Sequence, residues 1–425
     1  MAEVDLRAMA LSARAAGRTL GLLSTDQRNA ALLEIARRLD NVGEELWEAN
    51  RADLEQARAE GISPALLDRS TLTPKRVAAM AQGCRDVAAL PDPLGQEFDG
   101  RLLPNGLRVA KRRVPLGLIA VIFESRPNVT AEIGSLCLKT GNAVIMRGGR
   151  ESLRTNSVLI DLIRSACEAT GVPADAVQLI RSTDRALVPE LLGMDDLIDL
   201  VIPRGAQGLQ NLVRQYARMP VVYGGIGVCH LFVDASADIA RSIPVIHNAK
   251  TQAPSVCNAL DTVLVHRAVV KELLPPMVAA LNASGVKVLC DPPSLAALAG
   301  APGIVPDLVA PATEEDYGRE FLSLVLSVKV VDSLDEAIAH IARYGTNHSD
   351  GILTNDYANA QRFLNEVDSA AVYVNASTRF TDGSQFGLGA EVAVSTQRMH
   401  ARGPLGLQEL TTYKWVVQGD YHVRK

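Results

Sequence analysis

The chain has 425 residues, of which 48% are hydrophobic and 21% charged, with a formal net charge of −5. This composition is typical of a soluble globular protein, and the length predicts two or three domains. The weak acidic balance argues against nucleic acid or an anionic membrane as the main partner. The six scattered cysteines lack a CxxC pair and indicate neither a disulfide framework nor a zinc site.

The first residues and the longest apolar runs bear on where the protein resides. Met1 to Asp5 are acidic and open an Ala-rich helical pattern, so we expect no signal peptide. Apolar runs stay below the ~18–20 residues that a membrane span needs. A cytoplasmic protein is the expectation.

Residues 5 to about 90 read as helices, because apolar residues recur at three- and four-residue spacing, for example over 29–39. The pattern changes between 97 and 115, where Asn105-Gly106 between apolar residues predicts a β-hairpin. A lone hairpin is marginal in water. It is therefore expected to pack on another part of this chain or on another subunit.

From Val114 onward, strands and helices alternate. The continuous apolar run 116–123 predicts a parallel strand buried on both faces. Further predicted strands are 143–146, 177–180, 197–202 and 220–223, and the predicted helices between them are 129–139, 151–169, 184–193 and 207–217. This alternation predicts a doubly wound parallel sheet, with ligands beyond the carboxyl ends of its strands.

A second α/β unit is predicted from about residue 230. A helix-like segment at 239–249, containing Pro244, leads into a polar loop that contains Cys257. The predicted strands are 262–266, 286–290, 324–331, 350–354 and 371–375. The Gly-rich stretch 382–391, followed by 400–407, is interpreted as a long ordered loop that returns to a site.

Cys257 lies in a loop between two regular elements, where a thiol can be accessible. A thiol is a useful nucleophile only as the thiolate, which nearby cations favour, and Lys250 is one candidate cation. The alternatives are that Lys250 points to solvent and that Cys257 is a small buried apolar residue.

Several other loops carry candidate binding residues. Gly205 and Gly208 lie between a strand and a helix, where a backbone turn either binds a phosphate or simply closes tightly. Arg147 and Arg150 either suit the 2′-phosphate of NADP or are surface arginines. Glu320 is either a ribose ligand or solvated surface. Three loop arginines are candidate clamps for an anionic substrate: Arg126, Arg379 and Arg402. The histidines show no metal-ligand spacing, so no metal is expected.

Taken together, these features resemble the aldehyde dehydrogenase superfamily. The stretches that carry the resemblance span most of the chain: 114–117, 123–130, 139–143, 247–261, 386–391, 400–407 and 411–415. The implied fold is α/β and aldehyde dehydrogenase-like, with a Rossmann-type nucleotide domain, an α/β catalytic domain and a β-hairpin oligomerisation arm. The implied boundaries are 1–96 and 116–226 for nucleotide binding, 227–375 for catalysis, and 97–115 with 376–425 for the arm and a return segment.

The resemblance also implies roles for individual residues. Cys257 aligns with the nucleophile, Gly205 and Gly208 with the coenzyme-phosphate turn, Arg147 with a Lys that contacts the adenosine ribose, and Glu320 with the Glu that holds the nicotinamide ribose. Two departures are informative. Val222 stands where hydrolytic members have the Glu that activates water. The oxyanion-hole Asn falls by spacing on Glu124, so Asn128 or backbone N–H groups are expected to serve instead.

The implied activity belongs to a branch of the superfamily that reduces an acyl phosphate in L-proline biosynthesis. Cys257 thiolate is expected to attack L-glutamate 5-phosphate, expel phosphate and form a thioester, which is reduced with NADPH to L-glutamate 5-semialdehyde. The alternatives are a CoA-acylating or hydrolytic aldehyde dehydrogenase for another semialdehyde, and a nucleotide-binding scaffold without catalysis. A homodimer or homotetramer is expected. A functional partnership with glutamate 5-kinase is also considered, because the acyl phosphate is labile.

Overall fold

The computed structural model describes residues 4–205 and 207–424, so predictions for residues 1–3 and for Ala206 fall outside the described residues. In chain order the helices are α1 (Leu6–Leu20), α2 (Thr25–Asp40), α3 (Glu44–Ala59), α4 (Pro64–Ser70), α5 (Pro74–Ala89), α6 (Pro127–Lys139), α7 (Leu153–Ala169), α8 (Leu187–Leu192), α9 (Gln207–Tyr216), α10 (Ile239–Thr251), α11 (Val270–Ala283), α12 (Pro292–Leu298), α13 (Leu334–Tyr344) and α14 (Tyr357–Glu366).

The strands, again in chain order, are β1 (Glu97–Leu102), β2 (Arg108–Pro115), β3 (Leu118–Phe123), β4 (Ala143–Arg147), β5 (Val177–Leu179), β6 (Leu200–Arg204), β7 (Cys229–Val233), β8 (Leu260–His266), β9 (Lys287–Cys290), β10 (Val309–Pro311), β11 (Val325–Val331), β12 (Ser349–Leu353), β13 (Ala371–Val374), β14 (Val394–Ser395), β15 (Gly403–Pro404) and β16 (Thr411–Gln418). The chain divides into two compact units. Unit 1 comprises Met1–Tyr223, Leu388–Ala393 and Leu405–Lys425, and unit 2 comprises Gly224–Gly387 and Val394–Pro404.

Unit 1 contains a parallel sheet in the order β5–β4–β3–β6. Every residue of β3 is buried, as its unbroken apolar run predicts. The prediction of a strand at 220–223 was wrong, because Val221 makes only an isolated bridge to Val201. Pro220 has no N–H to donate, so a regular ladder does not continue there.

A second sheet in unit 1 is antiparallel, in the order β1–β2–β16. The predicted hairpin is present, and its Gly106 has a left-handed φ of 91° at the turn. β16 pairs with β2 over its whole length, from Thr411 opposite Pro115 to Gln418 opposite Arg108. The hairpin therefore packs on a distant part of its own chain.

Unit 2 is built on a parallel sheet in the order β10–β9–β11–β8–β7–β12–β13. The segments that enter β11, β8, β7 and β12 consequently meet at the amino edge of four neighbouring strands. Cys257, Gly227 and Glu320 all lie in these entering segments. No helix in the described residues combines the length and the apolar character needed to cross a bilayer.

Candidate active site

Cys257 lies in the turn between α10 and β8. All six cysteines fall in the described part of the chain, and five of them are buried, whereas Cys257 is half-buried. Burial raises the pKa of the others, to about 12 for Cys137, Cys167 and Cys290, so they stay protonated at neutral pH. Exposure therefore singles out Cys257 as the candidate nucleophile.

The peptide group that follows Cys257 is held from several sides. The Cys229 thiol donates to the carbonyl oxygen of Cys257 at 3.3 Å. Gly227 lies so close that a Cβ on it would be 1.5 Å from the same oxygen. The Thr378 hydroxyl donates to the carbonyl of Asn258 at 2.7 Å, and the Asn258 amide donates to Thr381 O at 2.9 Å. These contacts fix the backbone on which the thiol is mounted.

Arg379 is the candidate anion-binding arginine that the structure brings to Cys257. Its Nε donates to Gln252 Oε1 at 3.0 Å. Burial lowers the pKa of Arg379, and the neighbouring charges of Asp382 and of the Cys257 thiolate oppose that shift. The interaction between the guanidinium and a Cys257 thiolate is attractive, and a guanidinium can also bind an anionic substrate.

Arg402, another candidate clamp, is engaged elsewhere in unit 2. Its Nη1 lies 2.7 Å from Asp368 Oδ1, and its Nη2 donates to Asp368 O at 2.7 Å. Arg398 binds the same carboxylate. Binding of a substrate by Arg402 would therefore require an existing ion pair to open.

Glu320 is connected to the Cys257 turn through Gly227. Its carboxylate accepts the Gly227 N–H at 2.9 Å, and burial raises the pKa of Glu320.

Lys250 does not point to solvent. It is fully buried, and its Nζ donates to Asp261 Oδ1 at 3.3 Å. The alternative that Lys250 is a surface cation was wrong.

In unit 1, the loop between β3 and α6 carries Glu124 and Arg126, and Asn128 follows in α6. Asn128 is exposed in the first turn of α6, and Arg126 is half-buried at its N-cap. Ser125 has a left-handed φ of 42°, and its N–H donates to Glu151 Oε1 at 2.7 Å. A non-Gly residue in this region persists only where its surroundings hold it, so Glu151 fixes the loop.

The other candidate binding residues of unit 1 lie at the same carboxyl edge of its parallel sheet. Arg147 ends β4; its Nη2 donates to Asp184 O at 3.3 Å, and its buried Nε has no partner among the described residues. Gly208, near the start of α9, faces open space, and a Cβ on Gly205 would be 2.6 Å from the Glu124 carboxylate. The strand order places Glu124 and Gly205 at the switch point between β3 and β6, where open α/β sheets bind ligands.

Comparison with known proteins connects both units to one family. The model of the aldehyde dehydrogenase family matches residues 1–292. The chain belongs to the aldehyde dehydrogenase family. It is 54% identical to gamma-glutamyl phosphate reductases of Roseiflexus castenholzii, over 99% of both chains, and of Escherichia coli O1:K1, over 99% of this chain and 100% of the relative. The crystal structure of gamma-glutamyl phosphate reductase from Thermotoga maritima superposes with a TM-score of 0.95 at 47% identity, covering 99% of this chain and 100% of that one.

These findings confirm the resemblance and the aldehyde dehydrogenase-like fold, and this member of the family is an oxidoreductase. Some residues around Cys257 escaped the sequence-based predictions. Neither the loop containing Gly227 nor the residues Asn258 and Asp261 were assigned a specific role. The adjacent glycines at 224, 225 and 227 were the available signal, because close backbone approach needs glycine.

Proposed function

We propose that this chain reduces L-glutamate 5-phosphate to L-glutamate 5-semialdehyde with NADPH, releasing phosphate through a thioester on Cys257. The observation that carries the proposal is the half-buried Cys257 thiol, in a turn whose backbone is held by Gly227 and Cys229 and in electrostatic range of the Arg379 guanidinium. The relatives are gamma-glutamyl phosphate reductases, which supports this substrate and its place in proline biosynthesis.

Cys257 and its neighbours account for the acyl-transfer half of the reaction. The thiolate attacks the γ-carbonyl carbon, the C–O bond to phosphate breaks, and phosphate leaves with the electron pair. Arg379 favours the thiolate and offers a positive charge to the acyl phosphate. Backbone N–H groups and the Asn128 amide are the proposed donors to the oxyanion, and each well-placed donor contributes roughly 3–4 kcal/mol.

The residues of the nucleotide-binding half suit a coenzyme with several phosphates. Aldehyde dehydrogenases use nicotinamide coenzymes. Arg147, with its partnerless buried Nε, suits an anion at the carboxyl edge of the sheet, and Gly208 leaves open space beside the N-terminus of α9. Glu320 is the proposed ribose ligand. When bound, NADPH supplies the hydride that reduces the thioester.

Val222 favours transfer of the acyl group to phosphate rather than to water. It is a buried aliphatic residue at the position where hydrolytic relatives carry a Glu. An aliphatic side chain cannot activate water, so the thioester is preserved for exchange with phosphate. A CoA-acylating enzyme would also lack the Glu and is the remaining alternative.

The deciding experiment is the reverse reaction, in which NADP+ is reduced by L-glutamate 5-semialdehyde with inorganic phosphate, with CoA, or with neither. We expect turnover only with phosphate. Equal rates without phosphate would replace the proposal with hydrolysis, and turnover with CoA alone would replace it with CoA acylation.

Cysteine variants test the covalent step. Cys257→Ala is expected to abolish turnover while NADPH binding persists. Cys167→Ala, a matched change at a buried cysteine of unit 1, is expected to keep both. Iodoacetamide should label Cys257 first in the wild type. Substantial turnover by Cys257→Ala would refute the thioester route.

Members of the family are commonly oligomeric, and we propose that this chain forms a homodimer or homotetramer through the sheet β1–β2–β16. β16 exposes Tyr413, Trp415 and Val417, which are 47%, 49% and 56% exposed. Lys111 Nζ lies 4.7 Å from the Tyr413 ring centroid. Sedimentation of wild type and of Trp415→Glu tests this proposal, and an unchanged mass for the variant would contradict it. A partnership with glutamate 5-kinase stays a prediction.

A further inference from the structure

A buried ion pair in unit 2 lies close in sequence to the nucleophile. Lys250 is near the end of α10 and Asp261 is in β8, so the pair brackets the turn that carries Cys257. Both side chains are almost fully buried, at 0% and 2% exposure. Burial lowers the pKa of Lys250 and raises the pKa of Asp261 to about 6, which shows how strongly desolvation opposes the two charges. Apolar residues of similar volume often stabilise a fold at least as well as such a pair.

The same Asp261 oxygen also holds a second loop. Asp261 Oδ1 accepts the backbone N–H of Phe321 at 3.2 Å, in addition to the Lys250 ammonium. Lys250 Nζ lies 5.8 Å from the centroid of the Phe321 ring. Leu322, the next residue, has a left-handed φ of 51°, a conformation that a bulky side chain adopts only when it is held there.

Glu320 immediately precedes this anchored residue. Its carboxylate accepts the N–H of Gly227, and Gly227 in turn packs against the carbonyl oxygen of Cys257. The contacts therefore form a closed circuit from the nucleophile turn, through Lys250 and Asp261, to Phe321 and Glu320, and back through Gly227 to Cys257. A change at Asp261 reaches Glu320 through one peptide unit.

We propose that Asp261, charged and held by Lys250, is a positioning residue that sets the location of the Glu320 carboxylate for the coenzyme ribose by fixing the Phe321 N–H. The inference rests on the proposed function, in which Glu320 binds the nicotinamide ribose. Asp261 itself touches neither coenzyme nor substrate in this role. The essential element is the acceptor oxygen for Phe321, and Lys250 serves to keep that carboxylate in place.

Two double variants separate this role from simple packing. Lys250→Met with Asp261→Asn removes both charges but keeps an acceptor for the Phe321 N–H. Lys250→Met with Asp261→Leu removes the charges and the acceptor together. Because one hydrogen bond is at stake, we expect the NADPH dissociation constant of the Leu variant to exceed that of the Asn variant by about fivefold to tenfold. The KM for NADPH should rise more than kcat falls.

The matched control is the buried pair of unit 1 formed by Arg28 and Asp92, at 3% and 10% exposure. Arg28→Met with Asp92→Leu should lower the melting temperature without raising the NADPH dissociation constant. Glu320→Gln, measured alone and combined with the Leu variant, completes a double-mutant cycle. Because both changes act on the same contact, their effects should fall well short of additive.

The inference is decided by NADPH binding, which is measured by fluorescence titration, with NADH as a second probe. This measurement does not depend on whether turnover requires phosphate. Equal dissociation constants for the Asn and Leu variants would overturn the inference. The inference would also be overturned if the losses of NADPH affinity in the cycle were additive, or if the unit 1 control lost as much affinity. It would be overturned as well if Glu320→Gln had no effect on the dissociation constant. Binding that follows the expected pattern without phosphate-dependent turnover would support the positioning role and refute only the proposed reaction. A wild-type chain that binds neither coenzyme would refute both.

Discussion

Gly227→Ala is a small change with a large expected effect on catalysis. A Cβ at this position would lie 1.5 Å from the carbonyl oxygen of Cys257, 2.5 Å from its carbonyl carbon and 3.1 Å from its Cα. Every one of these atoms belongs to the backbone, so no rotation of a side chain can make room. The peptide after the nucleophile must therefore move.

The size of the movement follows from the same distances. Real Cβ atoms essentially never approach another heavy atom closer than 3.0 Å, so the backbone must separate by about 1.5 Å. A misplacement of about 1 Å at a reacting centre can cost roughly 10²-fold in rate. We therefore expect Gly227→Ala to lower kcat about a hundredfold. The dissociation constant for NADPH should rise too, because the Gly227 N–H is bound to Glu320.

The assay is phosphate-dependent NADP+ reduction, with iodoacetamide labelling of Cys257 as a direct measure of the displaced thiol. Gly318→Ala is the matched control in the same unit, since its Cβ would meet only Tyr344 Cδ1 at an ordinary 3.8 Å. Gly318→Ala should keep the wild-type kcat. A Gly227→Ala enzyme with kcat within about threefold of the control would refute the reasoning, because a displacement of this size cannot leave the chemistry intact.

Three further predictions concern stability in urea unfolding. Burial lowers the pKa of His340 to about 3, so the folded state binds fewer protons than the unfolded state and stability falls as pH drops below 6.5. His340→Phe keeps a ring against Tyr317 and removes the titrating group. Between pH 7 and pH 4.5 the free energy of unfolding of the wild type should therefore fall by about 2–3 kcal/mol more than that of the variant. Equal falls in the two proteins would contradict this prediction. Gly83→Ala, on the exposed side of α5, should add about 1 kcal/mol, and a loss of stability would count against it. Phe363→Ala, in the core beside Phe232, should remove about 3–5 kcal/mol, and a loss below about 1 kcal/mol would show that the site collapses.

Much of the fold follows from local pattern. The apolar run of β3 predicts its burial on both faces, and the Asn105-Gly106 pair predicts the hairpin, because strand burial and turn conformation depend on a few neighbouring residues. The loop position of Cys257 predicts an accessible thiol, and the structure places it as the half-buried cysteine. Features that depend on neighbouring residues can therefore be predicted from the sequence.

The parts that could not be predicted depend on residues far apart in the chain. Lys250 was either a candidate cation for the thiolate or a residue pointing to solvent, because its partner Asp261 is only recognisable once α10 and β8 pack together. The approach of Gly227 to Cys257 depends on the neighbouring position of β7 and β8. Arg402 stays a candidate clamp, and its ion pair with Asp368 could not be predicted from the loop sequence. Such pairings are set by tertiary contacts, which the local composition of a loop does not encode.

The pairing of β2 with β16 has a consequence for the order in which the protein is made. The two strands are separated by about 300 residues, so at 5–20 residues per second β2 waits roughly 15–60 s for its partner during synthesis. Through that interval one edge of β2 is open to strands of other nascent chains. The cations Lys111 and Arg112 of β2 pair with Asp99 and Glu97 of β1, so the hairpin neutralises them without any help from β16. Closure of the open edge of β2 therefore depends on β16, the last strand of the chain to be made.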